Sequence, residues 1–172
     1  MKLYDMLHFQ GHLWTIIDLK EKYGYIIATL LLSDDSSYKR TFDEKSSGRY
    51  YGSSIEKYLR EEFQLSNFVP LVSDIADEGC QARFYLLSVE EAKKLPQSVL
   101  NNFRTSWWLR TIGNRYGSQS YIGKTGIKYD ANKVYDLHGL RPAMQVRVED
   151  IKILGGIIIP SFDITDQDWS IE

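Results

Sequence analysis

The chain has 172 residues, a formal charge of −2 at pH 7 and one cysteine, Cys80. This length fits one domain, the near-neutral charge excludes a uniformly basic nucleic-acid binder, and a lone cysteine excludes an internal disulfide. Twelve tyrosines and four tryptophans favour sheets and contact surfaces over a helical bundle.

The N-terminal stretch MKLYDMLHFQGHLW has no continuous apolar segment behind a basic start, so it does not predict a secretory signal. The longest apolar runs, YIIATLLL and ILGGIII, have the length of strands and not of membrane spans. We therefore expect a cytoplasmic protein with no membrane partner, in a reducing compartment.

The first predicted elements are a hairpin and a helix. Trp14–Leu19 and Tyr25–Leu32 alternate as strands do, with the polar KEKYG turn between them. The segment SSIEKYLREEF then predicts a short amphipathic helix, in which Ser53 and Glu56 fit a capping box. Its apolar stripe has helical spacing and contains Ile55, Leu59 and Phe63.

For the second half of the chain, the sequence predicts one more helix among many short strands. RFYLLS predicts a strand, and SVEEAKKL predicts a helix with a capping box from Ser88 and Glu91 that ends before Pro96. Short β-like segments follow, and IKILGGIIIP is interpreted as one further strand or a pair. Two early helices and many late strands favour an α+β fold over βαβ units.

The small net charge hides an uneven distribution. Residues 101–135 carry a formal charge of +5, which leaves −7 for the remainder, and the chain has no basic residue after Lys152. A solvated surface and a polarised surface that steers a charged partner are both compatible with this distribution. The basic residues of the segment are Arg104, Arg110, Arg115, Lys124, Lys128 and Lys133.

Motifs for catalysis, metals and phosphate loops are weak. GSQSYIGKT has five residues between Gly117 and Gly123, one more than a phosphate loop allows, and a strand-like segment follows it. His8 and His12 lack a neighbouring carboxylate that would complete a metal site. Cys80 has no helix start or basic pair that would lower its pKa, and no GxSxG motif is present.

Four segments in this order resemble a domain of unknown function that is common in Firmicutes and their phages. They are SSIEKYLREEF, FYLLSVEEAKK, WWLRTIGN and HGLRPAMQVRV, and the resemblance covers residues 13–148. The pair WWLR and GLRPA is its specific part. The family is similar to C-type-lectin-like folds, which implies two short helices packed on twisted antiparallel sheets with long irregular loops.

The chain departs from the family pattern at three places. Glu56 replaces the usual arginine of the first helix, and Thr111-Ile112 replace Ser-Pro after WWLR. Residues 149–172 have no counterpart, so we predict a domain over residues 1–148 and a C-terminal strand and acidic extension over 149–172, packed on or beside it.

In such a fold the two adjacent tryptophans, Trp107 and Trp108, would lie on one strand and point to opposite faces. We therefore expect core positions and not a shared ligand platform, with one indole against the helices and the other in the long-loop region. Arg110 and Arg141 are then expected to hold loop carbonyls or carboxylates through forked hydrogen bonds.

The resemblance also bears on function. The calcium-dependent sugar motif of C-type lectins is missing around all four prolines, and one cysteine cannot supply the copper-binding pair of the formylglycine-generating enzyme. The expectation is a non-enzymatic binding protein without cofactor or metal, encoded by a phage or mobile element. Its expected activity is inhibition of a host defence nuclease of the Cas9 type, an anti-CRISPR function.

The expected partner is a protein, in particular a nuclease–guide RNA complex. Two contacts are compatible with the charge distribution: the acidic C-terminus could occupy a basic surface of the partner, or residues 101–135 could contact guide RNA phosphates. The candidate contact residues are Arg104, Arg115, Lys124, Lys128, Lys133, Tyr50, Tyr51, Asp163, Asp166, Asp168 and Trp169. Two alternatives stay open: a lectin-like module that binds a glycan or cell-surface receptor through exposed tyrosines, and a hydrolase with a hidden site.

Overall fold

The computed structural model describes residues 1–34 and 39–159 and has a mixed α+β fold, as predicted. The ten strands are β1 (Met6–Phe9), β2 (His12–Lys22), β3 (Tyr25–Leu32), β4 (Ser73–Ile75), β5 (Cys80–Ala82), β6 (Trp107–Ile112), β7 (Ser118–Gly123), β8 (Gly126–Asn132), β9 (Ala143–Arg147) and β10 (Ile157–Ile159). The four α-helices are α1 (Ser54–Glu61), α2 (Val89–Lys93), α3 (Gln97–Leu100) and α4 (Val148–Ile153).

Three sheets organise the described residues. The largest has five strands in the order β10-β1-β2-β3-β9, a second has three in the order β6-β7-β8, and β4 and β5 form a short pair. All neighbouring strands within these sheets run antiparallel. Antiparallel pairing needs only short connections, which fits the short spacing of strand-like segments in the sequence.

The predicted hairpin is confirmed as β2 and β3, with a tighter turn than expected. The strands extend into the KEKYG segment until Lys22 pairs with Tyr25, and only Tyr23 and Gly24 remain in the turn. Both turn residues have positive φ, 53° and 80°. Two successive positive φ values match the right-handed twist of the flanking strands, and glycine accepts this conformation at no steric cost.

Helix α1 forms where the sequence predicts it, but its capping box is only half formed. The Ser53 side chain accepts a hydrogen bond from the Glu56 amide at 3.2 Å, as expected. The Glu56 carboxylate accepts from the Gly52 amide at 3.0 Å, because the Ser53 amide already donates to the Tyr50 carbonyl. Glu56 is buried and is held by Arg60 one turn later.

Helix α2 has the complete capping box that the sequence predicts. The Ser88 hydroxyl accepts from the Glu91 amide at 3.1 Å, and the Glu91 carboxylate accepts from the Ser88 amide at 2.8 Å. The helix ends before Pro96, as expected. Pro96 then caps α3, because a residue without an N–H loses nothing at a helix start.

The predicted strand RFYLLS is wrong. Only an isolated bridge between Tyr85 and Ala143 forms there. Both backbone groups of Leu86 bond to side chains instead: its amide donates to the Tyr50 hydroxyl, and its carbonyl accepts from the Arg110 side chain. A segment whose polar backbone groups bond to side chains cannot continue a ladder of backbone pairs.

The interpretation of IKILGGIIIP as strand is half wrong, and the described residues contain four α-helices where two were predicted. Its first residues belong to α4, in which Val148 and Ile151 bury one face three residues apart. Gly155 follows with a φ of 79°, the left-handed conformation that ends helices. The remainder forms β10, which pairs with β1 at the edge of the five-stranded sheet.

Two hydrophobic clusters lie on opposite sides of the five-stranded sheet. In β3, Leu30 and Leu32 belong to the first cluster and Leu31 belongs to the second, as alternation along a strand requires. The first cluster also contains the buried residues of α1 and α4, and the second contains those of α2 and α3. Residues 148–159 therefore pack on the sheet.

Candidate functional site

Trp107 and Trp108 are both core residues on opposite faces of β6, which confirms the prediction against a shared platform. Their exposures are 1% and 0%. The Trp107 indole donates to the Leu100 carbonyl at the end of α3, at 3.1 Å. The Trp108 indole donates to the Arg40 carbonyl in the long loop, at 2.8 Å. One ring therefore fixes a helix and the other fixes a loop.

Arg110 confirms the expectation of a forked contact. Its guanidinium donates to both carboxylate oxygens of Asp77, at 3.0 and 2.7 Å, and to Glu91 at 2.5 Å. This forked contact keeps the pKa of the Asp77 carboxyl below its usual range. Arg110 is therefore a structural residue, although it belongs to the basic segment of the sequence.

Two of the expected surface residues are buried. Lys133 is 3% exposed, and its ammonium group donates to the Gly48 carbonyl at 2.6 Å and lies over the Phe42 ring. Burial lowers the pKa of Lys133. Tyr50 is 1% exposed, so the expectation of an exposed tyrosine at this position is wrong. Neither residue lies at a surface that a partner could contact.

A pocket of about 580 Å³ brings together three basic side chains, from Lys39, Arg104 and Lys124. Arg104 comes from the loop before β6, and Lys124 comes from the turn between β7 and β8. The Ser106 side chain also lines this cavity, which we call the basic pocket. The sequence offered no signal for Lys39, because only the folding of its loop brings it to the other two.

Lys128 lies on β8, four residues after Lys124, and does not line the basic pocket. A side chain on Gly123 would lie 3.2 Å from the Lys128 side chain, so the lysine passes over this glycine, at the same end of the sheet as Lys124. Arg115 lies at the opposite end of β7, about 20 Å away for a strand of this length. The structure thus divides the predicted basic residues into two groups.

Exposed tyrosines surround the Arg115 end of the sheet. Tyr116 is 82% exposed and Tyr135 is 80% exposed, and Tyr129 on β8 is 37% exposed. The Tyr129 carbonyl accepts from the Asn114 amide, which brings the β6–β7 loop against β8. We refer to the basic pocket, Lys128, Arg115 and these exposed rings together as the basic face. The aromatic signal was not identified in the sequence at these three positions.

Beside the basic pocket, Ser106 and His138 form a close pair. The Ser106 hydroxyl lies 2.6 Å from the His138 Nδ1 atom. The imidazole stacks on Tyr121 at 4.0 Å, which fixes its orientation. Burial lowers the pKa of His138, so the ring is neutral at pH 7 and Nδ1 can accept the serine proton. The pair was not predicted, because the two residues are distant in the sequence.

The remaining predicted contact residues are Tyr51 and four residues of the C-terminal extension. Tyr51 is 51% exposed, and its ring lies 6.0 Å from the Arg60 guanidinium. Four predicted contact residues of the extension lie outside the described residues: Asp163, Asp166, Asp168 and Trp169.

Within residues 1–34 and 39–159, no group of three or more His, Cys, Asp or Glu side chains could hold a metal ion. The His12 imidazole contacts Asp34 at 2.9 Å, so this histidine is a structural partner. Burial raises the pKa of Cys80, which keeps the thiol protonated at pH 7. Over the same part of the chain, no helix has the length and apolar composition that a membrane crossing requires.

Comparison of the chain with protein-family models, with curated proteins and with solved structures finds no match in any of the three.

Proposed function

We propose that the protein is a non-enzymatic binding protein that contacts the phosphates of RNA through the basic face. The observation that carries the proposal is that Lys39, Arg104 and Lys124 line one pocket, with Lys128 at the same end of the three-stranded sheet. Cations that converge on a concave surface raise the local concentration of a polyanion and bind its phosphates with release of counterions.

The exposed tyrosines favour a single-stranded partner. Proteins that bind single strands combine a basic groove with aromatic rings on which bases stack. Tyr116 and Tyr135 present almost their full surface, and both lie at the end of the sheet that carries Arg115. Cations at both ends would hold the backbone at two points, while the rings beside Arg115 contact bases.

In its narrower form, the proposal follows the family resemblance. The α+β architecture is then a C-type-lectin-like domain, and the protein is an inhibitor from a phage or mobile element that acts in the host cytoplasm. Its target is a defence nuclease of the Cas9 type, which holds the duplex of guide RNA and target DNA in a basic channel. The basic face would contact accessible guide RNA.

The first test measures RNA binding directly. The full chain is titrated against a fluorescein-labelled single-stranded RNA of 20 nucleotides at several salt concentrations, with anisotropy as the readout. Four cations of the basic face, Lys39, Lys124, Lys128 and Arg115, predict a slope of about −3 in log K against log salt. Changing Lys124 or Lys128 to Ala reduces the size of this slope by about 1 and weakens binding to all sequences alike.

The matched control is Lys57→Ala, which removes an exposed lysine on α1, outside the basic face. It leaves the affinity and the slope unchanged. RNA binding without salt dependence, or equal losses in Lys57→Ala and Lys124→Ala, would contradict the proposal.

The narrower form has its own test. Cas9 is incubated with the protein before or after guide RNA loading, and cleavage of a matched plasmid is followed with time. Inhibition that requires the guide RNA and that Lys124→Ala/Lys128→Ala relieves would support it. Full cleavage at a large excess of the protein would show that Cas9 is not the target. The proposal of RNA binding would then depend on the anisotropy measurement alone.

A further inference from the structure

A second concave surface lies apart from the basic face, between α1, the 64–72 connection and β5. Its volume is about 390 Å³. We call it the aromatic groove, because the rings of Phe63, Phe68 and Phe84 contribute to its lining. An apolar cavity of about 150 Å³ holds one benzene ring, so the aromatic groove has room for two bulky side chains.

The lining of the groove is held in place by ring contacts. Phe63 meets Phe84 edge to face with ring centres 4.8 Å apart, and Phe68 meets Phe9 in the same way at 5.3 Å. Phe9 and Phe84 belong to the first hydrophobic cluster. The groove is therefore continuous with the core, so a ligand would meet a preformed apolar wall and pay little ordering cost.

The opening of the groove is apolar as well. Val69 is 65% exposed and Val72 is 48% exposed. Both valines line the same groove. Large apolar side chains that are exposed together at a concave site mark a place where another molecule binds.

The charges around the groove have one sign. Two arginines, Arg60 and Arg83, line it, and none of its lining residues is Asp or Glu. Arg60 is compensated by Glu56, whose carboxylate lies 2.8 Å from its Nε atom. Arg83 donates to the Pro70 carbonyl at 2.5 Å, a neutral acceptor that positions the guanidinium without cancelling its charge.

We propose that the aromatic groove binds an acidic peptide segment of a partner protein. The segment inserts a bulky apolar side chain, of the Phe, Trp or Leu type, into the groove and places an Asp or Glu carboxylate against Arg83. Apolar insertion supplies the affinity, and the forked hydrogen bonds of a guanidinium with a carboxylate select acidic sequences. This inference concerns a different surface from the RNA contact and does not depend on it.

The experiment selects ligands from a library of random 12-residue peptides displayed on bacteriophage, with the full chain as the target. Val72→Glu serves as the counter-selection target, because this exposed position accepts a charge without disturbing the core. The expected peptides share an aromatic or leucine residue with an Asp or Glu within two residues. A labelled synthetic copy of a selected peptide should bind Val72→Glu at least about tenfold more weakly than it binds the wild type.

Two further variants test the contribution of the Arg83 charge and the specificity of the effect at Val72. Arg83→Ala should weaken the peptide about fivefold and reduce the salt dependence of its binding. Ile112→Glu, at a position 56% exposed on β6, is the matched control and should change nothing. Urea unfolding of each variant confirms that the fold is intact, and unchanged RNA affinity in Val72→Glu separates this site from the basic face.

Three outcomes would overturn the proposal. The first is a selection that yields no peptides distinguishing the wild type from Val72→Glu. The second is a consensus that is basic or lacks carboxylates. The third is concentration-dependent association of the protein with itself that Val72→Glu abolishes, because a second copy would then be the occupant.

Discussion

Arg141 illustrates at the scale of one residue how this protein uses its guanidinium groups. The side chain has no exposed surface, and it donates to the carbonyls of Leu32 and Val99 at 2.5 and 2.9 Å. It also lies over the rings of Phe103 and Trp107. Burial lowers the pKa of Arg141 to about 9, so the group stays charged at pH 7. One cation thus joins the end of β3 to α3.

Replacing Arg141 by Lys should destabilise the protein by about 2–4 kcal/mol. An ammonium group cannot reproduce the forked hydrogen bonds of the planar guanidinium, so buried acceptors would lose their donor. The free energy of unfolding, measured in urea, tests this expectation. Arg115→Lys, at an exposed position, should remain within about 0.5 kcal/mol of the wild type. Equal stabilities of both variants would show that the fork contributes nothing.

The sequence was sufficient to place the two adjacent tryptophans but not the lysines. Alternation along a strand was enough to place Trp107 and Trp108 on opposite faces, because neighbouring side chains in any strand point apart. Alternation could not distinguish Lys133 from Lys128, since burial of one lysine depends on a loop that contributes the Gly48 carbonyl. For the same reason, the sequence did not show that Lys39 lines the basic pocket.

At the scale of elements, helix starts were the most predictable features. Ser53 and Ser88 both cap helices, since the cap depends on groups within a few residues. The segment around Leu86 was not predictable in this way, because its backbone bonds to Arg110 and Tyr50 replace the ladder of a strand. Local chemistry determines a cap, whereas pairing of a strand depends on distant partners.

The Ser88 cap can be tested by Ser88→Ala. The change should cost about 1 kcal/mol of unfolding free energy, because the Glu91 amide at the start of α2 loses its acceptor. Thermal and urea unfolding both report this loss. Ser98→Ala, at an exposed position in α3, is the control and should have almost no effect. A cost for Ser98→Ala as large as that for Ser88→Ala would show that the cap is not the cause.

At the scale of the whole molecule, β6 joins the two hydrophobic clusters. Trp108 packs in the first cluster and Trp107 in the second. Since adjacent residues of one strand serve both clusters, neither cluster can separate without disturbing the other. We therefore expect the described part of the chain to unfold as one cooperative unit.

Trp108→Leu tests this coupling. The smaller side chain should leave a cavity and cost about 3 kcal/mol. Far-UV circular dichroism, which follows the secondary structure, and near-UV circular dichroism, which follows aromatic packing, should shift to lower urea together. Two separate transitions would contradict cooperative unfolding of the two clusters.

The sequence alone determined the α+β class, the first hairpin, the helix starts and the division of the tryptophans between two faces. Each of these depends on spacing and on contacts within a few residues. Only the tertiary structure decided that α4 packs on the sheet and β10 completes it, that Lys133 is buried, and that Lys39 joins Arg104 and Lys124. These outcomes depend on which distant segments meet, because burial and pairing are properties of the packed chain and not of a local pattern.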